Sequence, residues 1–143
     1  MTIHQISVFL ENRAGQLAEI TGVLAENNID LRAINIAETT DYGVLRLIVS
    51  DAHRASAILL EHGFILTMTP VVAVSVTDQP GGLAQVLKLL PAAGIDVEYM
   101  YSIFGQVDGL AHMIFRVEDC DKLVKTLEDN GYQTVSGEHL GIR

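Results

Sequence analysis

The chain has no tryptophan, one cysteine, three prolines, and nine lysines and arginines against 18 aspartates and glutamates in 143 residues. Each shortage excludes something. With Cys120 alone, no disulfide can form within the chain, and nothing points to an oxidising compartment. The lack of cations leaves a formal net charge of -9. So acidic a surface repels phosphate backbones and anionic membranes, which argues against nucleic acid and lipid as main partners. No apolar run is long enough to span a bilayer, and Met1-Thr2-Ile3-His4-Gln5 lacks the basic-then-apolar layout of a secretion signal. With 49% hydrophobic and 19% charged residues, a packed core is readily supplied. The expectation is a cytoplasmic globular protein.

What is present is a repeat. Asn12-Arg13-Ala14-Gly15-Gln16-Leu17-Ala18 lies over Asp78-Gln79-Pro80-Gly81-Gly82-Leu83-Ala84, and Ile29-Asp30-Leu31 over Ile95-Asp96-Val97, both at a spacing of 66. Leu45, Leu47 and Val49 then match Met113, Phe115 and Val117, and Gly63-Phe64 matches Gly131-Tyr132, now at a spacing of 68. The two extra residues fall between positions equivalent to Ile36 and Leu45, where a hairpin turn absorbs them. That pattern is the residue of a duplicated folded unit.

Each copy reads alike. Ile6, Val8 and Leu10 alternate, as do Val72, Val74 and Val76, which predicts half-buried strands. Leu17, Ile20 and Leu24 share a helical face, as do Leu83, Val86, Leu87 and Leu90. Asn27-Asn28 and Ala93-Gly94 tolerate the turns that end those helices. Second strands are expected over Leu31–Glu38 and Val97–Gly105, and hairpins at Asp41-Tyr42-Gly43 and Asp108-Gly109 lead into third strands. Second helices run from about Ala52 to His62 and Cys120 to Asn130, and a short fourth strand completes each copy.

The order is strand, helix, strand, strand, helix, strand, given twice. Right-handed crossovers turn it into an α+β fold of two ferredoxin-like βαββαβ units, each an antiparallel sheet with its helices on one face. Residues 1–69 and 70–143 form the two units, separated at Pro70 by a linker of a residue or two, so they are expected to pair side by side. About 70 residues alone make a marginal domain, which also favours pairing.

The fold hosts too many functions to name one. The discriminating feature is the connection from first strand to first helix, Glu11 to Gly15 and Thr77 to Gly81. Gly15 and Gly81 let the backbone turn where a Cβ would collide, and Pro80 fixes its own dihedral. Helix amides follow at once, so main-chain donors point outward where a carboxylate suits them. The side chains of Asn12 and Asp78 offer acceptors for an ammonium group. Those are the two ends of a free amino acid. Asp-x-Pro-Gly before a helix is equally a serviceable turn and cap in proteins that bind nothing there; its recurrence at equivalent points favours function.

The sequence resembles tandem ACT-domain proteins, regulatory modules attached to many enzymes of amino-acid metabolism. The carriers are Asp78-Gln79-Pro80-Gly81-Gly82-Leu83 with Gly94-Ile95-Asp96-Val97, and Asn12-Arg13-Ala14-Gly15-Gln16-Leu17 with Asn28-Ile29-Asp30-Leu31. Asn12 replaces the family's acid and Ala14 its proline, so the first loop's grip on an ammonium group is weaker. The resemblance implies an eight-stranded sheet formed edge to edge, with ligand held where one unit's loop meets the other's second strand. One site would then use Asn12, Arg13, Ala14, Gly15, Gln16 and Leu17 with Tyr99 and Tyr101. The other would use Asp78, Gln79, Pro80, Gly81, Gly82 and Leu83 with Asn35. The two are expected to differ in affinity.

Other residues mislead. His4, His53, His62, His112 and His139 show no repeated metal-ligand spacing and are expected to be solvated or packed, with no metal and no cofactor. Cys120 begins a helix, but Glu118, Asp119 and Asp121 oppose its ionisation, and its first-copy counterpart is Ala52. Glu11, Glu19, Glu26, Glu38 and Glu61 read as solvated surface, and the segment after Ser136 as a simple tail. The expected protein is a regulatory one that binds a free amino acid, forms a homodimer and controls a separate metabolic enzyme. Two rivals stand beside it. One is a small-acid isomerase or lyase built on Tyr99, Tyr101, His112 and Arg116; the other is an interaction module that binds no small molecule.

Overall fold

The computed structural model describes residues 2–11, 13–38, 42–105 and 108–142. Asn12 and Asp41, both singled out above, lie outside the described residues. The chain divides into two compact units, one of His4–Thr69 with residues 141–142, the other of Pro70–Leu140 with residues 2–3.

The first unit contains β1 (Ile3–Leu10), α1 (Gln16–Glu26), β2 (Leu31–Glu38), β3 (Gly43–Val49), α2 (Ala52–Glu61) and the start of β4 (Leu66–Thr77). Its strands are ordered β2-β3-β1-β4, with β3 antiparallel to both β1 and β2. This is the sheet order of a ferredoxin-like unit. Ile6, Val8, Leu45 and Leu47 send fully buried side chains against Ile20 and Leu24 of α1 and Leu59 of α2. Each such side chain contributes about 1.5–3 kcal/mol of apolar burial, which is why alternation along strands and a 3.6-residue period along helices dictate the layering. Asp51 caps α2 by accepting from the Arg54 amide at 3.1 Å.

The second unit repeats the plan with α3 (Gly82–Leu87), β5 (Tyr99–Ser102), β6 (Leu110–Arg116) and α4 (Cys120–Asp129). The rest of β4 pairs antiparallel with β6, and β6 with β5. Val72, Val74 and Phe115 face Val86 of α3 and Leu123 and Leu127 of α4. Asp119 caps α4 as Asp51 caps α2, accepting from the Lys122 amide at 3.1 Å. Asp108 and Gly109, with φ of 54° and 72°, make the tight turn before β6.

Several boundaries differ from the sequence expectation. No linker interrupts the chain at Pro70: β4 is one strand of 12 residues, and the Pro70 carbonyl, left free to accept, takes a bond from Arg116 Nη1 at 2.9 Å. The helix expected through Leu90 stops at Leu87 and continues as a 3-10 turn, Pro91–Ala93, because the Pro91 ring would clash with the carbonyl four residues back. β5 has four residues rather than nine, although Glu98 N and Ile103 N still bond Arg116 and His112 carbonyls at its ends. The last strand is reduced to one bridge, Val74 to Thr134. The segment after Ser136 is no simple tail. It forms a 3-10 turn, Glu138–Leu140, whose Leu140 is buried.

Candidate functional site

In each unit the bend between the first strand and the first helix turns through a glycine in the left-handed region. Gly15 has φ 84°, Gly81 φ 86°, and both occupy the N-cap with no side-chain cap. Space around both is open, since a Cβ added to either would meet nothing within 4 Å. Glycine is required there by dihedral, not by crowding. Gly82 is the reverse case. A Cβ on it would lie 2.0 Å from the Thr77 carbonyl oxygen, so the second bend closes only because that side chain is absent.

The second bend is held by main-chain bonds: Asp78 N to Gly109 O at 3.0 Å, Gln79 N to Thr77 O at 2.9 Å, and Gly82 N to Gln79 O at 3.0 Å. The amides of Gly81, Leu83 and Ala84 have no acceptor among the described residues. Main-chain donors left without an acceptor at a bend are groups that an anion can satisfy. Asp78 opens the same bend.

The first bend is arranged differently. Arg13 N bonds Glu11 O at 2.8 Å, and the Gln16 side chain folds back so that its Oε1 accepts from Glu11 N at 2.9 Å. Gln16 is only 6% exposed. The guanidinium of Arg13 is taken by Glu19 at 3.2 Å and Glu11 at 3.9 Å. Leu17, expected on the buried face of α1, is instead exposed beside the bend.

The strand residues named from sequence fall in place within their own units. Asn35 of β2 faces Arg46 of β3 and accepts from its Nη1 at 3.1 Å. Tyr99 and Tyr101 stack with ring centroids 6.4 Å apart, Tyr99 half-buried and Tyr101 buried. They pair with Arg116 and Ile114, which puts them on the sheet face that carries His112, away from α3 and α4. On that face Ser75 Oγ and His112 Nδ1 are 3.0 Å apart, and Arg116 is held by Glu98 Oε2 at 3.1 Å and by the Pro70 carbonyl. His112 is buried, which lowers its pKa below 6.5, and the charge of His139 lowers it further. Ser75 was not singled out from sequence and His139 was read only as a solvated or packed histidine; the register of β4 on β6 brings Ser75 to His112, and the charge of His139 is felt there.

A cleft of about 720 Å³ in the second unit lies elsewhere, lined by Gly94, Asp96, Glu118, Cys120 and Lys122 among others at the start of α4. Burial raises the Cys120 thiol, partly offset by Arg116, so its thiolate is scarce at neutral pH. Among the described residues no group of three His, Cys, Asp or Glu side chains could hold a metal ion. No helix among them is long and apolar enough to cross a membrane.

A duplicated βαββαβ unit with a glycine bend at each equivalent corner defines a class. The family model described as ACT domain pair matches residues 1–142, and the chain belongs to that family. A solved protein of Bacteroides thetaiotaomicron is similar, with 40% identity, 99% of this chain and 96% of that one covered, and a TM-score of 0.91. The ligand-free regulatory subunit of aspartate kinase from Thermus thermophilus shares the fold at 17% identity and a TM-score of 0.65, covering 90% and 92% of the two chains. E. coli aspartokinase III, crystallised with lysine and aspartate, matches at 16% identity and a TM-score of 0.51, over 91% of this chain and 31% of that one. No curated protein matches the sequence significantly.

Proposed function

We propose that the protein is a regulatory module that binds a free amino acid at a glycine bend and acts on a separate enzyme of amino-acid metabolism. The observation that carries this reading is the second bend. There Gly81 lies in the left-handed region, the amides of Gly81, Leu83 and Ala84 have no acceptor among the described residues, and Asp78 opens the bend. The amides suit a carboxylate and Asp78 suits an ammonium group. The aspartate kinase regulatory subunit supports a regulatory role by its fold. Regulation requires that the ligand prefer one of two states of the protein or of its assembly, and a homodimer is the simplest such assembly.

The enzyme reading finds less support. Of its four residues, Arg116 is committed to Glu98 and Pro70, His112 to Ser75, and Tyr101 is buried. A cytoplasmic location fits the single cysteine and the acidic surface.

A thermal-shift screen of the proteinogenic amino acids tests the proposal. A ligand at a hundred times its Kd adds about 2.7 kcal/mol of stability, a shift of several degrees. The screen is expected to return a small set of related amino acids. If none of the twenty at 10 mM (an order-of-magnitude ceiling, about a hundredfold over a 0.1 mM Kd) raises Tm, the binding reading fails.

A further inference from the structure

In the first unit β2 is an edge. After an irregularity between Leu31 and Ala33 its register on β3 is regular from Ala33↔Ile48 to Glu38↔Gly43, and no strand among the described residues pairs with its outer side. Natural sheets blunt such edges with charges, prolines or very short strands. β2 has eight residues and no proline, and from Ala33 to Ala37 it carries no charge. Ile36, on this strand, is 46% exposed. The segment also reads nearly alike in both directions about Asn35, with isoleucine at 34 and 36, alanine at 33 and 37, and arginine at 32 against glutamate at 38. An antiparallel strand meets its partner in reverse order, so this segment is complementary to itself. A two-fold axis at Asn35 sets Ile34 opposite Ile36 of a second copy, Ala33 opposite Ala37, and Arg32 opposite Glu38. Opposed β-branched residues and opposed charges are pairs that stabilise a sheet. An axis at residue 34 or 36 would instead set Arg32 against Ile36 or Ile34 against Glu38. The second unit has no such edge: β5 is four residues long, and the pairs flanking Tyr101 are Met100 with Ser102 and Tyr99 with Ile103.

We infer that β2 is a self-pairing edge, through which two copies of the chain associate antiparallel with Asn35 on the two-fold axis. A foreign strand would have to match the order of residues 32–38 by chance; a second copy supplies it by symmetry. Arg32 meets Asp30 Oδ2 at 3.3 Å within its own chain, and a guanidinium has donors for a second carboxylate. Asn35 Oδ1 accepts from Arg46 Nη1 at 3.1 Å, which orients the amide and turns its nitrogen into a donor for the axis. The inference deepens the homodimer proposed above and rests on that part of the reading alone. Dimerisation through another surface would overturn it and leave amino-acid binding, which the thermal-shift screen reads separately, intact.

Cysteine cross-linking of the full chain in a Cys120→Ala background reads the register. Residues opposite each other in an antiparallel pair have Cα atoms about 4.5–5.5 Å apart, within the span of a disulfide. Asn35→Cys, opposite its own copy, is expected to oxidise to a covalent dimer. Ala37→Cys, opposite residue 33 and far from its own copy, is expected to stay unlinked. Sedimentation equilibrium at low ionic strength gives a second reading that keeps Asn35 in place. Arg32→Glu alone and Glu38→Arg alone set like charges opposite each other twice across the axis, so each is expected to self-associate about tenfold more weakly than wild type. In an equimolar mixture of the two every opposed pair is again cation against anion, and association is expected to return to the wild-type level. A wild type that stays monomeric at every concentration, no link through Asn35→Cys, a link through Ala37→Cys, or a mixture that associates no better than its components would each overturn the inference.

Discussion

Ser75 and His112 face each other across the β4–β6 ladder, Oγ to Nδ1 at 3.0 Å, with His112 buried on the sheet face away from the helices. Burial and the charge of His139 both disfavour the imidazolium. The folded-state pKa is therefore depressed below 6.5. Above 6.5 the ring is neutral in folded and unfolded chains and contributes no pH dependence. As pH falls through 6.5 the unfolded chain takes the proton first, so stability drops, and the loss levels off below the folded-state pKa. Urea unfolding at pH 7.5 and 5.5 is expected to show wild type less stable at 5.5 by a margin that shrinks in His112→Asn. An equal margin in both proteins would contradict the assignment.

Gly82→Ala and Gly81→Ala are expected to fail for different reasons. A Cβ at residue 82 meets the Thr77 carbonyl, a main-chain atom that cannot rotate away, and the bend must open. The cost is about 1–3 kcal/mol, as for other overpacked sites. At residue 81 the space is open and only the left-handed dihedral is penalised, by about 1–2 kcal/mol. Gly81→Asn, which tolerates that dihedral, should recover most of the stability, whereas no side chain at residue 82 should. Denaturation midpoints of the three variants check this.

Asp51 and Asp119 are equivalent caps, each accepting from the amide three residues ahead at 3.1 Å. Replacing either by alanine is expected to cost about 1 kcal/mol. Neither lies at a bend, so amino-acid uptake should be unchanged. A loss of uptake in Asp119→Ala would move attention to the cleft at the start of α4.

Cys120 is held in its thiol form by burial, with Asp121 and Asp119 adding to the effect and Arg116 opposing it. Alkylation by iodoacetamide at pH 7.5 should be slower than that of a free cysteine and should rise steeply with pH. Cys120→Ala should bind as wild type does. Rapid alkylation at pH 7.5 would mean that the carboxylates and the burial are not felt at the sulfur.

Much of this architecture was legible in the chain. Alternation at Ile6, Val8 and Leu10 and the spacing of Ile20 and Leu24 are direct images of burial, and β2 spans Leu31–Glu38 as read. Asp108-Gly109 announced its turn because few other pairs accept positive φ in succession. What escaped depends on partners distant in sequence. Pro70 looked like a break, yet a strand needs its carbonyl as much as its amide, and Arg116, 46 residues away, supplies the donor. The last turn looked like a tail because Leu140 has no local pattern to betray its burial. Gln16 read as one more loop residue with ligand-facing potential, and only coordinates show that its side chain turns inward.

An amide NMR titration with the amino acid that gives the largest thermal shift bears most directly on the account. The cross-peaks of Gly81, Leu83 and Ala84 are expected to move furthest and to saturate together, with the shifts abolished in Gly81→Asp. Saturable shifts that leave these three amides in place and centre on the α4 cleft or the His112 face would contradict it.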